Sequence, residues 1–231
     1  MILILMLQLA FEPIDCAREG IFETPVASFQ PSVHSLYMNN FGILPYVRAE
    51  FYLPKGIGLG ISNFGNELYT ENQFVLGYAH NIKMLRIGAS LQGMKMYVDD
   101  AQDLYIGIGA GISAKFTSSV SCNFTMQNFN SLEEIPQTNT YELLLSPTNE
   151  LKTSIQLCSI GKFSNEVRLM NEIKVSNALS IDLGVKNNPD SFTGGIKLNY
   201  KNFNISYYAR THSELGLTHI LGLDMSLKKG G

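Results

Sequence analysis

The run Leu104-Tyr105-Ile106-Gly107-Ile108-Gly109-Ala110-Gly111-Ile112-Ser113-Ala114-Lys115-Phe116 decides the fold. Leu104, Ile106, Ile108, Ala110, Ile112, Ala114 and Phe116 fall on one side of a period of two. Tyr105, Gly107, Gly109, Gly111, Ser113 and Lys115 fall on the other. A helix would scatter both sets around its circumference, whereas an extended strand keeps them on opposite faces. The segment therefore reads as a strand with one apolar and one polar face.

The same period recurs on both sides of this run. Leu85, Ile87, Ala89 and Leu91 oppose Arg86, Gly88, Ser90 and Gln92; Val120, Cys122, Phe124 and Met126 oppose Ser121, Asn123, Thr125 and Gln127. Further on, Leu179, Ile181, Leu183 and Val185 oppose Ser180, Asp182, Gly184 and Lys186. Fourteen such segments are expected: 31–40, 43–54, 56–65, 70–82, 84–98, 102–116, 118–128, 139–147, 150–161, 164–175, 177–187, 190–200, 202–211 and 215–228. The number falls to twelve if the first pair fails. The links between them read as alternately short and long. In a bacterial barrel the short turns are periplasmic, so an even strand number predicts both termini there.

Composition decides between a barrel in lipid and a soluble sandwich. The 231 residues are 45% hydrophobic but only 16% charged, against roughly 25% charged in an average soluble domain. The polar face is rich in Gly, Ser, Asn, Thr and Gln, and the apolar face is dominated by Leu, Ile, Val and Phe. Strands joined by near-minimal hairpins make a meander, where a sandwich needs Greek-key crossovers. In hydrocarbon every backbone group must be paired within the protein, and a closed meander does this without an edge. The expected fold is all-β: a closed antiparallel up-and-down transmembrane β-barrel of about fourteen strands over 31–231. No run reaches the length of a spanning helix. Tyr46, Phe51, Phe64, Tyr69, Phe74, Tyr78, Tyr97, Phe116, Phe192, Tyr200 and Tyr207 lie near segment ends, where interfacial girdles are expected.

Residues 1–30 stand apart. Met1 to Ala10 read Met-Ile-Leu-Ile-Leu-Met-Leu-Gln-Leu-Ala, the apolar core and small residue of a secretory signal without its basic start. The segment is expected to combine a partial signal peptide with a short lumenal plug. Cys122 and Cys158 fall on opposite faces, so they are not expected to pair.

Three stretches carry a family resemblance. Leu53-Pro-Lys-Gly-Ile-Gly-Leu-Gly-Ile-Ser-Asn-Phe-Gly-Asn-Glu-Leu-Tyr69 resembles the second hairpin of the PorV/PorQ group of outer-membrane proteins, itself similar to FadL-type transport barrels. Tyr207-Tyr-Ala-Arg-Thr-His-Ser-Glu-Leu-Gly-Leu-Thr-His219 resembles the group's closing hairpin, and Phe11-Glu-Pro-Ile-Asp-Cys-Ala-Arg18 its mature start. The Asn-Pro-Ala-Gly-Leu motif that usually precedes the first strand in this group is absent from residues 19–32. The resemblance implies a bacterial outer-membrane location and a role in transport or as a membrane component of a secretion system. The implied partners are outer-membrane lipid, secretion-system proteins or a hydrophobic small molecule. A general diffusion pore and a non-conducting structural barrel are the alternatives.

The residues suggest no enzyme. There is no phosphate-binding Gly-Lys-Ser/Thr loop, Cys-x-x-Cys, His-Glu-x-x-His or Gly-x-Ser-x-Gly. His212, Ser213 and Glu214 are consecutive and cannot converge as a relay. No cofactor is expected, and a net charge of −3 gives no basic footprint for nucleic acid. The chemistry lies in the charges of the polar face. The expected lumen-facing residues are Arg86, Lys115, Arg168, Glu172, Lys174, Asp182, Lys186, Lys197, Arg210 and Asp224. With Arg48, Lys152, Glu50 and Glu166 they make nine basic residues against five acidic, a net positive wall that predicts a modest anion preference in an open barrel. The alternative is that these charges pair across neighbouring strands.

Overall fold

The computed structural model describes residues 27–38, 42–53, 55–65, 69–98, 101–128, 130, 136–212 and 216–227. They form fourteen strands: β1 (Ala27–Met38), β2 (Gly42–Leu53), β3 (Ile57–Gly65), β4 (Tyr69–Ile82), β5 (Leu85–Val98), β6 (Ala101–Lys115), β7 (Val120–Gln127), β8 (Thr138–Leu145), β9 (Leu151–Ile160), β10 (Glu166–Lys174), β11 (Leu179–Lys186), β12 (Ser191–Tyr200), β13 (Phe203–His212) and β14 (Gly216–Leu227). Each strand pairs antiparallel with its neighbours in sequence, and β1 pairs with β14, so the meander closes. The first pair of segments is real, and the strand number is fourteen rather than twelve.

Register carries one face right around the barrel. Ile112 lies opposite Phe124, Phe124 opposite Tyr141, Tyr141 opposite Leu157 and Leu157 opposite Val167, all on the outside. Large apolar side chains stand exposed on that face in every sector whose side chains are described, among them Ile61, Leu91, Ile106, Leu183 and Leu221. A soluble monomer rarely tolerates apolar surface of this extent. In lipid the same surface is the solvated one. Two pairs of outward polar groups satisfy each other: Thr153 Oγ1 donates to Asn171 Oδ1 at 2.8 Å, and Tyr207 shares a 2.8 Å hydrogen bond with His219 Nδ1.

Closure brings both terminal strand ends to one rim, together with the two-residue turns at 83–84 and 201–202; this is the turn end. The opposite rim carries the 128–137 link and is the loop end. Hairpins with right-handed twist favour positive φ in their turns. Lys55 (72°) and Gly56 (82°), Lys83 (55°) and Lys201 (53°) adopt it.

Several sequence expectations need correction. The first strand begins at Ala27, so residues 27–30 belong to the barrel rather than to the preceding segment. Pro31 obscured this, because proline cannot donate to a ladder. Accordingly the β1–β14 ladder runs on either side of Gln30 and Pro31 and is interrupted across them. The signal and plug readings of residues 1–26 lie outside the described residues. The alternation of short and long links is also weak. Links at the turn end span two to five residues, and so do those at the loop end apart from 128–137. Residues Ala101 and Gln102, expected in a link, are drawn into β6. The expected girdle loses Tyr46, Phe64 and Tyr69, which point inward, the first two buried. Phe51, Phe116 and Tyr200 remain outside near the turn end and Phe192 near the loop end, with Tyr207 outside at mid-height of β13.

The barrel is taller on one side. β4, β5 and β6 have 14, 14 and 15 residues, whereas β7, β8 and β11 have eight each. Pairing of β6 with β7 stops at Ala110 opposite Met126, leaving the outer part of β6 without that neighbour. Asn128 turns the chain back with φ 55°. The Asn130 side-chain amide then donates to the Ile106 carbonyl at 2.7 Å, and its oxygen accepts from the Ile108 amide at 3.2 Å. One side chain thus caps an edge that a strand would otherwise have to cover.

Candidate functional site: the charged inner wall

The inner face of β7 to β13 carries a continuous set of polar contacts. Alternation places Glu142 on β8 inward, where Asn123 on β7 and Gln156 on β9 lie directly opposite it. Asn123 donates to it at 2.7 Å and Gln156 at 2.8 Å, and the Ser154 hydroxyl donates as well. Three neutral donors thus hold this carboxylate.

Two ion-pair groups follow along the wall. In the first, Glu166 on β10 accepts from Arg168, two residues along the same strand, and from Lys186 Nζ on β11 at 2.9 Å. Register sets Arg168 directly opposite Lys186. The buried carboxylate between these two cations offsets their repulsion. In the second, Glu172 pairs with Lys197 and, at 3.5 Å, with Lys152. Lys197 also reaches Asp182 at 2.9 Å, and the Tyr208 hydroxyl donates to Asp182 at 2.7 Å.

A glycine makes the second group possible. Asp182, Gly195 and Tyr208 form one row across β11, β12 and β13. A Cβ on Gly195 would fall 2.5 Å from Cε1 of Tyr208 and closer still to Cδ1. The absent side chain lets the Tyr208 ring lie flat across β12 and touch the strand beyond.

The other expected wall residues are placed separately. Arg210 lies towards the loop end on β13, where its Nε donates to Thr193 Oγ1 at 3.3 Å. Lys174 is exposed at the turn end, opposite Ser180. Asp224 lies opposite Asn204 on β13. Arg86 and Lys115 belong to a different feature, a cavity of about 710 Å³ at the turn end between β4 and β9. Lys83, Arg86, Lys115 and Lys152 line it together with Ser113, Thr117, Ser119, Ser121 and Asn123, and its lining holds no Asp or Glu.

Register also changes the charge balance. Glu71, Asp103 and Glu142 share the inner face: Glu71 and Asp103 are each set opposite Met96, and Glu142 opposite Asn123. With the five acids already assigned, this makes eight against nine basic residues. The wall as a whole is therefore close to neutral, and its positive character is concentrated in the turn-end cavity. Sequence reading missed Lys83, which sits in a turn. It also missed Glu142, whose segment Thr140-Tyr141-Glu142-Leu143-Leu144-Leu145 alternates poorly. Across the lumen, towards the loop end, the inner face is mainly apolar. Tyr46 and Phe64 are buried, and Met94 and Met96 pack with Tyr69 and Tyr105 beside the buried Glu71. Cys122 and Cys158 form no disulfide with each other, and the Thr140 hydroxyl donates to Cys158 Sγ at 3.7 Å.

Known structures share this architecture. Engineered variants of the porin of Rhodopseudomonas blastica superpose with TM-scores up to 0.55 at 7% identity, covering 87% of this chain and 99% of that one. The Acinetobacter baumannii outer membrane protein Omp33 superposes with a TM-score of 0.58 at 7% identity, covering 88% and 98%. No protein-family model and no curated protein sequence matches the chain. The fold is that of the porin-type β-barrels.

Proposed function

We propose that this chain is a porin-like barrel of the bacterial outer membrane, giving small hydrophilic solutes a passive route with a preference for anions. The observation that carries the reading is the contrast between its two faces. Among the described residues the outside presents a largely apolar surface suited to lipid, and the inside is polar, charged and cationic at the turn end. The porin likeness supports the fold on which this rests. Placing the one long link, 128–137, outside puts the turn end on the periplasmic side. No group on the inner wall calls for covalent chemistry, so binding and permeation are the activities proposed.

A second reading keeps the PorV/FadL resemblance: a barrel that handles a hydrophobic molecule or serves a secretion apparatus. The inward patch of Tyr46, Phe64, Met94 and Met96 favours it, because an apolar wall segment suits an apolar ligand.

Reconstitution in planar bilayers under a salt gradient tests the choice. Stepwise conductance with an anion-selective reversal potential is expected. Cation selectivity would sink the anion preference, and absence of conductance would remove the pore and leave the second reading.

A further inference from the structure

We infer that Glu71, Met94 and Met96 form a binding site for a soft monovalent metal cation, copper(I) or silver(I), on the inner wall near the loop end. The inference rests on the barrel but not on its conducting. Pairing aligns two inner-face rows across β4, β5 and β6. Glu71, Met96 and Asp103 make one, and Gln73, Met94 and Tyr105 the other. Met94 and Met96 stand two residues apart on β5, so their side chains share a face. Both are buried and pack as one cluster, with Tyr69 and Tyr105 against it. Two thioethers and a carboxylate are thus neighbours on one patch of wall.

Glu71 carries most of the argument. It is 2% exposed. One carboxylate oxygen accepts from the Tyr69 hydroxyl, and the other, Oε2, is buried with no hydrogen-bond partner. Other acids of the inner wall are compensated. Glu50, Glu166, Glu172 and Asp182 each hold a cationic side chain, and Glu142 holds three neutral donors. Among the described residues no lysine or arginine forms an ion pair with Glu71. Burying a carboxylate without a counter-ion is costly, and a bound cation would supply one.

The thioethers decide which cation. Soft sulfur ligands select copper(I), and silver(I) has the same charge and a closed d shell. Calcium and magnesium require a shell of oxygens, where this patch offers one open carboxylate oxygen beside two sulfurs. Zinc is held by thiolate, imidazole and carboxylate, so the methionines add nothing for it. The Gln73 amide donates to Met94 Sδ at 3.4 Å, so this sulfur already faces β4, the strand that carries Glu71. A monovalent ion with one carboxylate and two neutral sulfurs leaves no net charge in a desolvated site. Methionine's rotatable bonds let both sulfurs adjust to it. Asp103, opposite Met96 and exposed, places a second carboxylate on the approach from the lumen.

The test is titration of the full chain, carbon-13 labelled at the methionine methyls, with silver nitrate in non-ionic detergent and chloride-free buffer, read by NMR and calorimetry. Silver(I) also binds thiols, and these are the same in every variant. The Met94 and Met96 methyl signals should shift with silver(I) and stay in place with zinc(II). M94L/M96L keeps the side-chain volume and should take up one silver ion fewer than the parent. E71Q keeps the shape without the charge, and silver(I) should bind at its methionines at least about tenfold more weakly. M170L, which changes an inner-face methionine on β10, should bind as the parent does. A heat-modifiable gel shift identical to the parent shows that each variant is folded. Unmoved Met94 and Met96 signals, equal uptake by the parent and M94L/M96L, undiminished affinity in E71Q, or an equal response to zinc(II) overturns the site. Silver binding without conductance leaves the site and removes the pore; anion-selective conductance without silver at Met94 and Met96 does the reverse.

Discussion

Glu166 and Lys152 show how burial decides what a charge on this wall is worth. The Glu166 side chain is 6% exposed and lies between two cations. Replacing it with alanine leaves Arg168 and Lys186 facing each other without compensation, a change that typically costs about 3–5 kcal/mol in a buried pair. Lys152 is 64% exposed and pairs at 3.5 Å, so K152A should cost no more than about 0–1 kcal/mol. Urea titration of the reconstituted barrel should therefore lower the midpoint clearly for E166A and barely for K152A. Equal midpoints would show that water reaches both groups alike. The charges themselves were legible as a polar face with a period of two. Their partners were not, because pairing depends on register between strands, and a single sequence carries alternation but no register. Glu142 shows the same limit: three leucines after it mask the period that would have marked it as inward.

At the scale of elements, β11, β12 and β13 depend on a missing side chain. In G195V the new methyls occupy the space of the Tyr208 ring. The ring must leave, and its bond to Asp182 goes with it. Overpacking of this kind costs about 1–3 kcal/mol. The expected outcome is a lower urea midpoint for G195V, with little further loss when Y208F is added. A full additive loss in the double variant would mean that the two residues act independently. Strand existence was readable almost throughout, since fourteen expected segments overlap fourteen strands. Strand ends were less so. The 118–128 segment starts two residues early, within the turn that Ser118 and Ser119 belong to, whereas Pro31 concealed the start of β1.

The links of the two rims carry opposite charge in the sequence. Links at the loop end carry Glu67, Asp99, Asp100, Glu133, Glu134, Asp190 and Glu214 in sequence, against one base, Lys162. Links at the turn end carry Lys55, Lys83 and Lys201 against Glu150. A conducting barrel of this kind should rectify, passing unequal currents at opposite voltages in dilute salt. The asymmetry should shrink at 1 M salt, where screening acts over about 3 Å. Symmetric current–voltage curves at low salt would count against it. Closure was anticipated from the meander and the need to pair every backbone group. This axial polarity was not, because it emerges only when the links are sorted by rim.

The row Asp182, Gly195 and Tyr208 also has a mechanical meaning. Neighbouring strands in a barrel are otherwise held edge to edge, so tension on one can peel it away alone. A side chain that spans β12 and grips β11 makes these three strands share the load. Pulled from the C-terminal side, the wall should yield in units larger than a hairpin here, with Tyr208 acting as a rivet through the middle strand.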